Sequence, residues 1–526
     1  MVTAPAKARR PPNLAWLLAM IAGAAAGLAH PPFGFLPGLL GYGLIMLLAD
    51  GADHRRPLRS AFWRGWLAGL SYFAVSVWWV TEAFFVDAET FGWMAPIAIC
   101  LLAGGLALFW GLAALLYRRI GATGVTRVLV FAGALSLVEW VRGWIFTGFP
   151  WDLPGETWLA GSAPSQMASV VGASGLTLFT VAIAAAPAVL LDDAPRRPRL
   201  IAVSLAALAL AGLYGYGAVR LARPAPLTNI LVRVVQPDIA ESAKYDAASF
   251  RDNANRFLAL TAQPAARTPD IIVWSEAALA PATIEDLLSP QAWTRPAIAA
   301  ALKPGQTLLM GGIRMTGPPD KPTYLNSLFA VSLKDGAPVV TATYDKYRLV
   351  PFGEFLPLGK YLDKIGFRKL VPLGDFGAGP EPRPIGPPGI PALQPLICYE
   401  SLFPGYTRRG ARAGGRRAEW IVNVSNDSWF GQTSGPRQHL NLASYRAIEE
   451  GLPMVRATPT GISAVIDPYG RVLPGARVAL GTRGVVDAFL PKSAPLTPYA
   501  KYGELFFMVT MLLTLSVAVR HFVRSN

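Results

Sequence analysis

Residues 94–117 read MAPIAICLLAGGLALFWGLAALLY and include no charged side chain. A helix that crosses a membrane needs about 20 consecutive apolar residues, so this run is long enough to span a bilayer. Similar runs lie at residues 13–30, 32–50, 61–83, 125–146, 164–191, 200–221 and 503–522. We therefore predict an integral membrane protein, a helical bundle with about eight transmembrane helices.

The composition of the whole chain agrees with this class. Of its 526 residues, 52% are hydrophobic and 15% are charged, and the mean hydropathy is +0.36. These values are too apolar for an ordinary soluble enzyme. The polar middle of the chain is long enough to bury a core of its own. We predict transmembrane helices 1–7 in residues 1–221, a soluble domain at 222–500 and transmembrane helix 8 in residues 501–526.

Charged residues divide between the two sides of the predicted bundle. If the helices alternate in direction, one side collects Lys7, Arg9, Arg10, Arg55, Arg56, Arg59, Arg118, Arg119, Arg127, Arg196, Arg197, Arg199, Arg520 and Arg524. The other side collects mostly acidic residues, namely Glu82, Asp87, Glu89, Asp152 and Glu156, with Arg142 as the clear basic member. Because cytoplasmic loops are enriched in lysine and arginine, both termini should be cytoplasmic and residues 222–500 should lie outside.

The net charge of +15 suits an anionic membrane surface. It does not predict binding to nucleic acid, because the basic residues are dispersed and no recognition motif surrounds them. The first apolar run has a second interpretation as a secretory signal, since Lys7, Arg9 and Arg10 precede it and it ends in Gly27-Leu28-Ala29. Its length, and the apolar segment that follows at once, favour a retained helix.

Short apolar runs in residues 222–500 predict strands. They lie at residues 230–235, 271–274, 307–311, 328–333, 339–344, 393–397, 420–424, 462–466 and 484–488, and a helical pattern covers Ser249 to Ala262. This mixture favours layered α/β structure over an all-β sandwich.

Three reactive side chains follow predicted strands: Glu276, Lys346 and Cys398. A strand end holds a side chain rigidly at a cleft, so we expect the three to meet. A thiol is a strong nucleophile only as thiolate, and its usual pKa of about 8.5 leaves it largely protonated at neutral pH. Glu276 can accept the thiol proton, and Lys346 can stabilise the thiolate and an oxyanion. We expect the sulfur to be ionised between these two groups.

Each residue also has a purely structural interpretation. Cys398 could be a buried cysteine of the core, Glu276 a carboxylate at the start of a helix, and Lys346 a solvated surface charge. A disulfide is excluded on geometry, because the other cysteine, Cys100, lies within a predicted span.

Three segments carry a resemblance to a known superfamily. Trp274-Ser275-Glu276, the segment from Tyr344 to Glu354 and Ile397-Cys398-Tyr399-Glu400 resemble the Glu-Lys-Cys signatures of the nitrilase superfamily. With seven apolar runs before these motifs and one after, the chain is similar to the membrane-bound branch of that superfamily, the apolipoprotein N-acyltransferases. The resemblance implies a soluble αββα sandwich on a membrane bundle.

The resemblance also implies an activity. A fatty acyl chain from a phospholipid would form a thioester with Cys398 and then pass to the α-amino group of a lipoprotein's diacylglyceryl-modified N-terminal cysteine. This ping-pong transfer would be the last step of lipoprotein maturation. The setting would be the bacterial inner membrane, with the catalytic domain on the periplasmic side.

Other residues have supporting roles in this resemblance. Glu354 would orient Lys346 or assist proton movement, the backbone N–H of Tyr399 would help to bind the oxyanion, and Glu400 would hold the loop beside the nucleophile. Asn326 and Tyr245 would shape the pocket, although tryptophan is expected at position 245. Candidates for an apolar rim that excludes water are Phe352, residues 355–358 and Trp429-Phe430, each of which could equally pack in the core.

No cofactor is predicted. The four histidines, at positions 30, 54, 439 and 521, form no ligand pattern, and no glycine-rich phosphate loop follows a strand. Two other function classes stay open. A membrane-anchored nitrilase-type amidase or hydrolase would use the same three residues but pass the acyl group to water. A transporter or scaffold would need only the spans, but these carry few ionisable residues, Glu139 being one.

Overall fold

The computed structural model describes residues 12–193, 195–357, 359 and 376–525. Lys7, Arg9 and Arg10 of the predicted cytoplasmic side, and Leu358 of the predicted rim, lie outside the described residues. Helices form the first part of the chain. They are α1 (Pro12–Leu28), α2 (Gly41–Asp50), α3 (Pro57–Ser76), α4 (Ala88–Phe91), α5 (Ala95–Ile120), α6 (Arg127–Arg142), α7 (Ala168–Ala185) and α8 (Arg196–Leu221).

The polar middle of the chain contains eleven strands among its described residues. They are β1 (Leu227–Gln236), β2 (Ile271–Val273), β3 (Thr307–Thr316), β4 (Thr323–Lys334), β5 (Ala337–Asp345), β6 (Leu393–Ile397), β7 (Trp420–Val424), β8 (Met454–Ala457), β9 (Ser463–Ile466), β10 (Val472–Val478) and β11 (Gly484–Pro491). The helices here are α9 (Glu241–Lys244), α10 (Phe250–Thr261), α11 (Ile284–Leu287), α12 (Thr294–Ala301), α13 (Tyr406–Ala413), α14 (Gly435–Glu450) and α15 (Pro498–Tyr502), and α16 (Leu505–Ser525) ends the chain.

All eight predicted spans are largely helical, but they differ in length. Of the described helices, four are long and apolar enough to cross a membrane: Ala88–Ile120, Gly124–Arg142, Pro164–Leu191 and Arg196–Leu221. The pair Pro57–Ser76 and Trp78–Phe85 qualifies jointly, with a 50° bend. Asn13–Leu28, Leu36–Asp50 and Leu505–Arg520 are shorter. At about 1.5 Å per residue these three fall short of a hydrocarbon core of about 30 Å, so the number of crossings is approximate.

The two sheets, whose strands extend from Leu227 to Pro491, form the centre of the part of the chain that we call the outer domain. One has the strand order β11-β1-β2-β3-β4-β5 and the other β10-β9-β8-β7-β6. Strands β1 to β3 run parallel in the first sheet, and β6 to β8 run parallel in the second. Their facing sides share one buried cluster that includes Val232, Leu309, Val422 and Val455.

Helices cover the outer faces of both sheets. Phe257 of α10 and Ile298 of α12 pack on the first sheet, while Leu442 and Ile448 of α14 pack on the second. The four layers confirm the predicted αββα arrangement. Each of the nine predicted strands and the predicted helix is present, whereas β8 and β10 were not predicted.

The outer domain contacts one end of the helical bundle. There, Trp79 and Trp151 both donate hydrogen bonds to Gln438 Oε1 of α14, at 2.9 and 3.0 Å. At the other end, Arg127 bridges Asp50 at 3.0 Å and Asp192 at 2.7 Å. The arginine-bearing loops around Arg127 therefore lie on the side of the bundle opposite the outer domain.

Candidate active site

The structure brings the three predicted residues to one place between the sheets. Glu276 lies three residues after β2, Lys346 directly after β5 and Cys398 directly after β6. Lys346 Nζ lies 3.1 Å from Glu276 Oε1. The charges of Glu276 and Lys346 both act on the Cys398 thiol. The strand ends thus position a carboxylate, an amine and a thiol together.

Asn326 and Glu354 complete the polar side of this site. Lys346 Nζ also donates to Glu354 Oε1 at 2.9 Å. Asn326 Nδ2 donates to Glu276 Oε1 at 2.7 Å and to Glu354 Oε1 at 2.8 Å. All four side chains are buried. Two donors therefore share the same oxygen of each carboxylate, which fixes the orientation of both.

The second oxygen of Glu276 is different. Glu276 Oε2 is buried and accepts no hydrogen bond from any residue that the structure describes. An unpaired buried carboxylate oxygen is costly, and such exceptions concentrate where a group must bind or react. Since Oε1 is fixed by Lys346 and Asn326, Oε2 is the atom that can accept a proton.

The candidate nucleophile, Cys398, occupies a strained turn. Cys398 has φ of 48°, a conformation that residues other than glycine rarely adopt. It begins a short 3₁₀ turn, Cys398–Leu402, at the end of β6. Ser401 Oγ donates to the Cys398 carbonyl at 2.8 Å, and His439 Nε2 lies 3.3 Å from the same oxygen. Surrounding contacts of this kind maintain the strained conformation.

His439 belongs to a buried network that the sequence did not reveal. Its Nδ1 lies 2.9 Å from Asp427 Oδ1, and Asp427 pairs with Arg456 at 2.7 Å. Asp427 lies three residues after the end of β7, and Arg456 lies within β8. Through His439, this network contacts the backbone of the turn that carries Cys398.

Glu400 links the nucleophile turn to the loop that carries Lys346. Glu400 Oε2 accepts from the Ile397 N–H at 2.8 Å, and Oε1 accepts from the Tyr347 N–H at 2.8 Å. The hydroxyls of Tyr344 and Tyr406 also donate to this carboxylate. Glu400 thus lies where it was expected to hold the loop.

Tyr399 and Tyr245 contact different parts of the structure. The Tyr399 hydroxyl donates to the Gly148 carbonyl, which ties the nucleophile turn to the helical bundle. Tyr245 packs against Ala277 and Ile313, beside the turn that follows Glu276. The smaller ring at position 245 therefore still contacts the acid-base side of the site.

Burial controls the charges of the site. Burial raises the pKa of the Cys398 thiol to about 12, with a further contribution from Glu276 that Lys346 opposes. Burial alone would also raise the pKa of Glu276, but Lys346 and Lys244 outweigh it and leave that pKa below its usual value. Burial would lower the pKa of Lys346, but Glu276 and Glu354 hold it well above its usual value. These directions favour a neutral thiol beside a carboxylate and an ammonium before substrate binds.

Lys244 is a charged member of the site that no sequence pattern singles out. It ends α9, is buried, and donates from Nζ to the backbone carbonyl of Glu276 at 2.8 Å. Its neighbours in sequence, Ser-Ala-Lys-Tyr-Asp, are typical of a solvated loop. Only the folded chain shows that this lysine faces inwards.

The proposed apolar rim is divided between surface and core. Phe352 is 59% exposed, whereas Leu356 is buried. Phe430 packs on Trp79 and Trp151 of the bundle, with ring centroids 4.3 and 5.8 Å apart. Phe352 therefore remains a candidate for a membrane-facing contact, and Phe430 joins the outer domain to the helices. Within the described part of the chain, no three His, Cys, Asp or Glu residues are grouped as metal ligands.

Comparison with known proteins gives matches over nearly the whole chain. Residues 22–186 match the apolipoprotein N-acyltransferase N-terminal domain, and residues 231–493 match the carbon-nitrogen hydrolases. The apolipoprotein N-acyltransferase of Caulobacter vibrioides is 54% identical over 506 residues, which cover 96% of this chain and 94% of that protein. The one from Rhodopseudomonas palustris is 38% identical over 530 residues, 96% of each chain. Among solved structures, an amidase from Nesterenkonia sp. is 17% identical, with a TM-score of 0.36, over 54% of this chain and 97% of that one.

Proposed function

The chain belongs to the apolipoprotein N-acyltransferase family, and from this membership we propose that Glu276, Lys346 and Cys398 are its catalytic triad. The enzyme transfers a fatty acyl chain from a membrane phospholipid to the α-amino group of a lipoprotein's N-terminal diacylglyceryl-cysteine. The observation that carries the assignment is the buried Oε2 of Glu276, which has no hydrogen-bond partner among the described residues and lies in the same site as the Cys398 thiol.

In the first half-reaction, Cys398 Sγ attacks the ester carbonyl carbon of the phospholipid. Because the pKa of the thiol lies above that of Glu276, the proton stays on sulfur in the free enzyme, and it passes to Glu276 Oε2 only as the new C–S bond forms and makes the sulfur more acidic. The Lys346 ammonium and the Tyr399 backbone N–H stabilise the resulting oxyanion, and one positioned donor is commonly worth about 3 kcal/mol of barrier. The tetrahedral intermediate then expels the lysophospholipid oxygen, which takes the proton from Glu276, and leaves a thioester.

In the second half-reaction, the lipoprotein amine attacks the thioester carbonyl. Glu276 accepts a proton from the attacking nitrogen, the same donors hold the oxyanion, and Cys398 leaves and recovers its proton. Through both steps, hydrogen bonds with Glu354 and Asn326 hold the Glu276 carboxylate and the Lys346 ammonium in fixed positions relative to each other. Water would compete with the amine, so the apolar surroundings of the site must exclude it.

We place residues 222–500 on the periplasmic side of a bacterial inner membrane, with residues 1–221 and 501–526 forming the membrane part and both termini cytoplasmic. The distribution of basic residues supports this orientation. The loops around Arg127 lie at the end of the bundle opposite the outer domain, and loops rich in arginine and lysine usually stay in the cytoplasm. The phospholipid donor then reaches the site from the outer leaflet.

The transfer can be tested with purified protein, a phospholipid with two identical acyl chains and a peptide that carries diacylglyceryl-cysteine at its N terminus. We expect the peptide to gain one acyl group as an amide, and a Cys398→Ala variant to leave it unchanged. Release of free fatty acid without acylated peptide would instead assign a hydrolase that uses water as acceptor. An active Cys398→Ala variant would remove Cys398 from the mechanism.

A further inference from the structure

Lys244 is a second buried ammonium beside the general base, and the reaction as described does not use it. It lies on α9, apart from the strand ends that supply the triad, and is 3% exposed. Lysine is rarely buried without a specific partner. Its Nζ lies 2.8 Å from the carbonyl oxygen of Glu276, the residue that accepts the thiol proton.

The carbonyl that Lys244 holds is at a strained point of the backbone. The next residue, Ala277, has φ of 45°, which alanine rarely adopts. A charged donor on the Glu276 carbonyl restricts rotation of the peptide between residues 276 and 277. The direction of the Glu276 side chain depends on this peptide, so Lys244 helps to aim the carboxylate.

Charge gives Lys244 a second connection to the base. The groups that act on Glu276 and its immediate surroundings come from four segments. They are Glu241 and Lys244 of α9 with the adjoining Tyr245, Lys346 after β5, Glu354 in the following loop and Cys398 after β6. The three carboxylates have only two ammonium groups to balance them. Without Lys244, Lys346 alone would face all three.

A second acidic residue, Glu241, also acts on Lys244. Burial lowers its pKa, while Glu241 and Glu276 act in the opposite direction. Glu241 is buried, and its Oε2 accepts a hydrogen bond from Asn426 Nδ2 at 2.8 Å. Asn426 follows β7, so this contact connects the Lys244 segment with the second sheet.

We propose that Lys244 is a positioning residue of this enzyme, which holds the Glu276 backbone and keeps the Glu276 carboxylate ionised for proton transfer. The inference rests on the proposed role of Glu276 as the base. Lys244 acts through Glu276 and does not contact the reacting atoms, which separates its role from that of Lys346.

The test is the pH dependence of thioester formation on Cys398, measured with full-length protein and a phospholipid with two identical acyl chains. Formation falls at acidic pH as Glu276 becomes protonated. Lys244→Met removes a nearby cation, so the acidic limb of the profile should move up by about one pH unit or more. At a fixed pH near the foot of that limb, a displacement of about one pH unit lowers the rate about tenfold.

Two further variants make the result decisive. Lys244→Gln, which lacks the charge but retains a donor, should move the limb in the same direction. The control is Lys334→Met, which makes the same change in an exposed lysine. Lys334 lies on β4 eight residues beyond Asn326, or about 27 Å along the strand. This variant should not move the acidic limb. A lower rate with an unmoved limb in both Lys244 variants would assign Lys244 to the fold alone and overturn the proposal. So would the failure of both variants to fold, judged by circular dichroism.

The outcome also separates this inference from the proposed function. If Cys398 does not carry the acyl chain, the unmodified protein forms no thioester at any pH. If only the role of Lys244 is wrong, the unmodified protein forms the thioester normally and the limbs of all variants coincide.

Discussion

Replacing Glu276 with glutamine should make the Cys398 thiol more reactive towards small alkylating reagents while it abolishes acyl transfer. Glu276 is the proton acceptor of the proposed mechanism, and loss of a positioned base commonly costs about 10²- to 10⁴-fold in rate. The same carboxylate, after burial, is the largest cause that raises the pKa of the Cys398 thiol. Removing its negative charge therefore lowers the pKa of the thiol.

The magnitude follows from the charges of the site. A thiol pKa of about 12 leaves on the order of one sulfur in 10⁴ ionised at pH 8, against about a quarter for a free cysteine. A nearby like charge commonly raises the pKa of an acid by about 1 to 3. Since the Lys346 ammonium remains, the glutamine variant should be alkylated at least about tenfold faster at pH 8.

The assay needs one reactive sulfur. A Cys100→Ser background leaves Cys398 as the single cysteine of the chain. The rate of modification by iodoacetamide is then followed by intact-protein mass spectrometry between about pH 7 and pH 10. Lys346→Met is the matched control, because loss of the cation should raise the pKa of the thiol further and slow alkylation. If Glu276→Gln is alkylated no faster than the parent across this range, the Glu276 charge does not control the thiol.

Three further predictions concern the supports of the site. Gly311→Ala should reduce the rate of thioester formation about 10²-fold, because the new Cβ would lie 2.6 Å from Glu276 Cα and a catalytic group displaced by about 1 Å commonly loses that much activity. The control is Gly105→Ala, which has open space around the added Cβ and should retain full activity. Equal rates in the two variants would contradict this explanation. Glu400→Ala should lower the melting temperature and activity together, because buried N–H groups would each lose an acceptor at a cost of about 1–3 kcal/mol; a normal melting curve would exclude this structural role. Burial alone would raise the pKa of Glu276, but Lys346 and Lys244 outweigh burial and leave this pKa below its usual value. The initial acylation rate should therefore stay constant from neutral pH down to about pH 5. A rate that begins to fall near neutral pH would contradict this prediction.

Hydrophobic pattern and strand ends were sufficient to predict most of the architecture. The apolar runs located the helices, and the nine predicted strands are present because each is a compact apolar segment bounded by turn residues. Two strands escaped prediction for physical reasons. β8 is four residues long and contains Arg456, whose charge is neutralised only in the fold by Asp427. β10 contains Pro474 and Gly475, which usually interrupt strands.

The sequence predicted those members of the candidate site that are reactive residue types at the ends of predicted strands. Glu276, Lys346 and Cys398 stand at strand ends, and their types suggest a nucleophile with its acid-base partners. Lys244 and His439 were not predictable, because a lysine in a polar segment and a lone histidine have no distinctive pattern. The ionisation of the thiol was also beyond the sequence, since it depends on how deeply the folded chain buries the sulfur.

The most direct test of the proposed mechanism is the mass of the Cys398 peptide after the purified protein has been incubated with phospholipid and no acceptor. The mechanism predicts an added fatty acyl mass on that peptide, held by a bond that neutral hydroxylamine cleaves. The mass should be absent from Cys398→Ala and strongly reduced in Glu276→Gln. An acyl mass on any other residue, or an unmodified Cys398 in protein that still acylates its peptide acceptor, would contradict it.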